Sequence, residues 1–260
     1  SANGLHVHNS PEEAFIASGD CAFDKERLVK MLKVCEKPVA VGNIVLDDYR
    51  HVFRPDAQGD FSFYEAINPN EQYVVAGDAC SGNGADYATL VALGKRSNKI
   101  MATYRAKADS DILAEKAKLL GGILKTAVVA LENNSYGFHA NLKLRSIYGN
   151  VYRQEKVDTD SGKISESYGW NTNSKTRADM LGEMKEDIRN GCIDLSDERI
   201  IRECLTFVKN LDSGKEEAQE GCHDDLVIST AIACSVRRRQ PWEAPERPGQ
   251  ARKKAVIGDY

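Results

Sequence analysis

The 260-residue chain contains no apolar run approaching the about 18 residues that span a bilayer, so no membrane segment is expected. Its opening "SANGLHVHNSPEEAF" lacks the apolar centre of a signal peptide, which points to a cytoplasmic protein. GxxxxGK[ST] is absent, and ATP hydrolysis through a P-loop is therefore not expected. No CxxC pair occurs among the seven cysteines, which sit beside apolar residues and read as reduced, buried thiols rather than a zinc site or disulfide framework. A positive charge excess is missing as well, the net charge being -4. That deficit is local: residues 1–70 hold 11 acids and 7 bases, whereas residues 71–260 hold 28 of each, so nucleic acid stays open as a partner.

What is present is a run of alternating element types. "FDKERLVKMLKVCE" carries Phe23, Leu28, Met31 and Leu32 on one helical face, and residues 41–70 read as loop and hairpin. From about Glu71 the pattern sharpens. "YVVAGDAC", "YATLVALGKR" and "KIMATYRAK" read as a strand meander, "SDILAEKAKLLGGIL" as a helix capped by Ser110 or Asp111, and "TAVVALENN" as another buried strand. A helix over "GFHANLKLRSIY", a short strand over "NVYRQ", a strand and helix over "GCIDLSDERIIRECLTFVKN" and a late apolar helix from Leu226 follow. That order predicts an α/β domain with a mixed central sheet flanked by helices, the ribonuclease H-like arrangement, with a β-hairpin inserted between Glu155 and Gly169. The expected divisions are 1–70 (helix, loops and hairpin), 71–236 (compact domain) and 237–260 (basic tail).

Four acids fall at chemically useful places in this outline. Asp78 ends the first strand of the meander, Glu132 ends the strand after the helix, and Asp224 and Asp225 open the last helix. Ligands of open α/β sheets gather outside the carboxyl ends of strands, and an oxygen-only donor set suits Mg²⁺ or Mn²⁺. Two such ions would activate a water and stabilise the leaving oxygen of a phosphodiester. Each acid also has a plainer role. Asp78 can start a turn, and either of the paired aspartates can cap the helix. Glu132 is harder to dismiss, because a glutamate closing a run as apolar as "AVVAL" is costly to bury without a partner. His223 reads first as a local hydrogen-bonding residue and second as a general base, and Asn134 as an auxiliary group. Lys175 and Arg177, near a helix start at Ser174 or Thr176, and Arg237, Arg238 and Arg239, opening the basic tail, are candidate phosphate contacts; solvation is the competing role of the tail.

Several stretches taken in order resemble the C-terminal nuclease domain of the large subunit of tailed-phage terminases, the DNA-packaging motor. "HNSPEEAFIASGDCAFD" is similar to the end of that family's ATPase domain, "YVVAGDACSGNGADYATLVAL" and "VVALENNSYGF" to its first two nuclease motifs, "YGWNTNSKTRADMLGEMKEDIRNG" to the segment after its hairpin, and "GCHDDLVISTAIA" to its last motif. The resemblance implies an endonuclease that cuts concatemeric viral DNA during packaging, with Asp78, Glu132 and Asp225 as metal ligands and Asp224 as an additional acid. It further implies double-stranded DNA, an ATPase domain, a portal ring and a small terminase subunit as partners, in the cytoplasm of an infected bacterium. On this view residues 1–70 are an ATPase-domain tail with its linker, and the chain is an excised nuclease domain. A resolvase-like or transposase-like nuclease would share the acids but not the ATPase-tail stretch; a non-catalytic module docking DNA or the portal would need no metal.

Overall fold

A computed structural model describes residues 21–241 except 83, 85, 126, 158–163 and 211–213. Its centre is a seven-stranded sheet built from β1 (Ala40–Asp47), β2 (Arg50–Pro55), β3 (Phe61–Phe63), β4 (Tyr73–Asp78), β5 (Ala88–Gly94), β6 (Ile100–Ala106) and β7 (Val128–Leu131). The strand order is β2-β1-β3-β6-β5-β4-β7, antiparallel throughout except for the parallel pair β4–β7. The expected meander is β4–β5–β6. Helix α2 (Ser110–Ile123) makes the crossover that returns the chain to lay β7 parallel to β4.

Both faces of the sheet are covered, which is why β4, β5 and β7 read as unbroken apolar runs rather than alternating ones. Val74, Ala76, Val91 and Ala130 face one core, formed with α1 (Lys25–Val34), α4 (Ser174–Asn190), α5 (Glu198–Leu205) and α6 (Asp225–Arg239). Val75, Leu90, Val129 and Leu131 face the other, formed with α2 and α3 (Ser135–Ile147). Every residue of α6 from Asp225 to Val236 is buried, so the all-round apolar sequence of this helix reflects packing against β4, β5 and α4 together.

Three expectations change. Residues 41–70 form not only a hairpin but three strands of the main sheet, with β3 paired to β6 and Phe61 packed on Tyr104 at 5.2 Å. The hairpin β1–β2 turns at Asp48 and Tyr49, both with positive φ. The sheet therefore runs continuously across residue 71. Asp109 caps α2 and Asn173 caps α4, each one residue ahead of the nearest expected cap. No strand forms over residues 191–195, where Asp194 makes only an isolated bridge with Lys99. The inserted hairpin is present as β8 (Arg153–Val157) paired with β9 (Ile164–Tyr168), its turn lying outside the described residues; a further small pair is β10 (Phe207–Lys209) with β11 (Glu216–Ala218). Among the described residues no helix is long and apolar enough to cross a membrane.

Candidate active site

Parallel pairing brings the first two acids together. Register pairs Gly77 with Leu131, and the Glu132 N–H continues the ladder by donating to the Gly77 carbonyl at 2.8 Å, so Glu132 stands beside the end of β4 where Asp78 leaves it. Glu132 is only 6% exposed. The Asn134 amide donates to the carboxylates of both Glu132 and Asp78, while its carbonyl oxygen accepts the Gly137 N–H and caps α3. One asparagine thus starts the helix and ties the acids together. Among the described residues no Lys or Arg forms an ion pair with either acid.

The third element of the site is the start of α6. Thr89 of β5 donates to the Asp225 carbonyl at 3.0 Å and shares a hydrogen bond with Ser229 at 2.7 Å, which fixes the first turn of the helix on the sheet. The Asp225 carboxylate accepts the Tyr87 N–H at 3.2 Å and lies 3.7 Å from the His223 Nδ1. His223 in turn sets its ring edge-on to Tyr87. Asp224 faces the Arg177 guanidinium at 3.6 Å, and Arg177 also donates to the Glu216 carbonyl at 3.1 Å.

Charge is under strain here. Burial first, then the neighbouring Glu132, and then Asp225 and Asp224, hold the Asp78 carboxyl well above the ordinary aspartate range. Burial raises Asp224 and Asp225 too, opposed by Arg177 and the Ala218 amide at Asp224, and by the Tyr87 amide at Asp225. Asp78 and Glu132 share the Asn134 amide, and each ionised carboxyl opposes the other across it, a repulsion that a cation between them would relieve. The oxygen-only donors fit a hard divalent ion in kind. Among the described residues, however, no three His, Cys, Asp or Glu side chains close on one point as a coordination group.

The candidate phosphate contacts separate. Arg177 lies within the acid cluster, and Lys175 is exposed two residues earlier at the start of α4. Arg237, Arg238 and Arg239 lie at the far end of α6, about 20 Å away along its 15 residues, and turn toward α4. Arg237 and Arg238 grip Asp187 at 3.0 and 2.6 Å, Arg238 also pairs with Glu186, and Arg239 pairs with Glu183 and packs on Trp170. These arginines join two helices; residues of the basic tail beyond 241 lie outside the described part. Arg238→Ala is accordingly expected to cost about 2 kcal/mol of folding stability, measured by denaturant unfolding. A stability unchanged from the parent chain would show that the pairs on Asp187 are not holding the helices.

Sequence reasoning missed Tyr87, Thr89, Ser229 and Glu203, the last of which accepts backbone N–H groups of α6. A glutamate inside the core-facing run Ile200–Leu205 is the signal that could have disclosed Glu203.

No family model and no curated protein matches the chain. Solved structures do. The large terminase nuclease of thermophilic phage G20c superposes with a TM-score of 0.55 at 16% identity, covering 80% of this chain and 97% of that one. The chain has the fold of a large-terminase nuclease. The G20c nuclease with bound magnesium gives a TM-score of 0.56 at 17% identity, covering 80% of this chain and 96% of that one. The Thermus phage P74-26 large terminase nuclease domain gives 0.50 at 16% identity, covering 79% and 93%. The ribonuclease H-like class expected from the element order is thus the class observed, with the terminase-nuclease arrangement of a mixed sheet flanked by helices.

Proposed function

We propose that the chain is a divalent-metal-dependent DNA endonuclease of a phage packaging terminase, cutting concatemeric viral DNA. The observation that carries this reading is the Asp78–Glu132 pair: two carboxyls brought to adjacent strand ends, sharing the Asn134 amide and, among the described residues, paired with no Lys or Arg. A module that merely docks DNA or a portal gives this arrangement no purpose. Similarity in fold to a phage nuclease solved with magnesium supports the same class of ion.

Asp78, Glu132 and Asp225 are the ligands on this reading, with Asp224 an additional acid whose charge Arg177 moderates. Bound Mg²⁺ or Mn²⁺ supplies a water of lowered pKa and neutralises charge on the phosphate, two ions sharing these tasks. The protein's own groups do the rest. Tyr87 and Thr89 hold Asp225 in place through its carboxylate and carbonyl. His223, beside Asp225, is placed to accept or return a proton. Arg177 and exposed Lys175 can contact DNA phosphates entering along the start of α4. Among the described residues the carboxylates do not close on a single point, so Asp78, Glu132 and Asp225 would hold a divalent ion more tightly with DNA phosphate present than without it. Packaging partners in the whole protein, namely the ATPase domain, portal ring and small subunit, and a place in the infected bacterial cytoplasm belong to the same proposal.

Supercoiled plasmid incubated with the purified chain and Mn²⁺ or Mg²⁺ should be nicked and then linearised, and EDTA should stop both. An intact plasmid in both metals, with the chain folded, would overturn the nuclease assignment.

A further inference from the structure

Six helices are described, and five are capped by their own N-cap residue. Asp24, Asp109, Asn134, Asn173 and Asp197 each have extended backbone geometry and accept an N–H of the first turn. Helix α6 departs from this rule. Its N-cap position holds Asp224, a residue type well suited to capping, yet Asp224 has φ -131° and ψ 9° and makes no cap hydrogen bond. The first-turn amides of Leu226 and Val227 donate instead to Oε2 of Glu203, 23 residues earlier in α5, at 2.8 and 3.3 Å. Glu203 is 7% exposed, and its other oxygen lies 3.4 Å from the Arg105 guanidinium, which stacks over the Tyr87 ring at 4.0 Å. Tyr87 is the residue whose N–H holds Asp225.

Glu203 therefore performs a task that Asp224 would otherwise perform, and a chain gains nothing in stability by burying a second carboxylate for it. What it gains is two acids released from their own helix. We propose that Glu203 is a positioning residue of the site: by capping α6 from α5, it leaves the Asp224 and Asp225 carboxylates available to divalent cation and fixes the turn that carries them. Arg105 supports the arrangement twice, through Glu203 on one side and Tyr87 on the other. The proposal rests on the metal-dependent reading above, which assigns no role to Glu203 or Arg105.

The test is a Mn²⁺ titration of the full chain, with and without a short DNA duplex, followed by the magnetic resonance signal of the free ion. Amide exchange at Leu226 and Val227 is measured alongside. Glu203→Ala should raise half-saturating Mn²⁺ about 10- to 100-fold, the usual effect of removing a group that orients ligands, and should speed exchange at both amides. Glu203→Gln keeps an acceptor oxygen and should stay within about threefold of the parent chain. Glu203→Asp keeps charge but falls a methylene short, and should behave like Glu203→Ala; it carries the test if the alanine variant does not fold. A purely structural role would lower the unfolding temperature while leaving the Mn²⁺ midpoint in place, and that result overturns the proposal. Failure of the parent chain to bind Mn²⁺ even with duplex would instead sink the metal-dependent reading.

Discussion

Asp78→Asn should reduce metal-dependent cleavage by about 10³-fold or more while making the metal-free chain more stable at neutral pH. The loss follows because a ligated cation contributes several kcal/mol to phosphoryl chemistry, and each 1.36 kcal/mol is a decade in rate. The gain follows from proton linkage. Burial and Glu132 raise the folded-state pKa of Asp78 above its usual 3.8, so across the interval above that value the folded chain binds more protons than the unfolded chain. Stability contributed by the protonated form is then lost as pH rises from the unfolded value toward the raised folded one, so the carboxyl folds less favourably at higher pH than an uncharged group would. Asparagine has no such proton to lose, and the substitution should raise the unfolding midpoint more at pH 8 than at pH 5. Single-turnover cleavage in Mg²⁺ and thermal unfolding in EDTA at both pH values check the two halves. Undiminished cleavage would remove Asp78 from the site; a midpoint that falls equally at both pH values would show that its carboxyl is not strained.

Gly137→Ala is the second large expected effect. Gly137 lies in the first turn of α3, where a Cβ would sit 1.7 Å from the Glu132 carbonyl oxygen and 2.8 Å from its carbon, both backbone atoms unable to turn aside. The helix must lift from the end of β7. Asn134 lifts with it, since its side chain both accepts the Gly137 N–H and donates to Glu132 and Asp78. A cost of about 3 kcal/mol in denaturant unfolding, typical of forced overpacking, should accompany loss of cleavage. Gly182→Ala is the matching control. Gly182 is exposed on α4 with nothing within 4 Å of its Cβ position, and alanine there should add about 0.5–1 kcal/mol. Parent-like cleavage by Gly137→Ala would mean that Glu132 and Asn134 keep their places without close contact of α3.

Much of the candidate site was legible because its acids interrupt apolar runs. Asp78 after "YVVAG", Glu132 after "AVVAL" and the acids before "LVISTAIAC" contrast with their surroundings, and strand-end logic places them on one side of the sheet. The supports were less visible. Thr89 and Ser229 pass for ordinary buried hydroxyls, and Tyr87 acts through its backbone N–H, which no side-chain identity encodes. Glu203 reads as one more polar residue in "ERIIRECL" until α5 is seen against the start of α6. Strand β1 escaped notice for a different reason: Gly42 and Asn43 interrupt its apolar pattern, and β2 is largely exposed, so neither shows a buried-strand signature. The partners of the basic "RRR" were not legible, because its charges pair with acids on α4, far away in sequence.

The pairing of β4 with β7 also sets which changes of chain length the domain can absorb. Alternate residues of a strand face opposite sides, so moving Leu131 by one position against Gly77 would turn Glu132 away from Asp78 and exchange the two cores for every residue of β7. A single-residue insertion or deletion between Ala127 and Glu132 is therefore a different lesion from one at the Asp48–Tyr49 turn, at the other margin of the sheet, where an altered loop leaves the β4–β7 register untouched. Length variation among chains of this design should gather at that outer margin and vanish from the short stretch leading to Glu132.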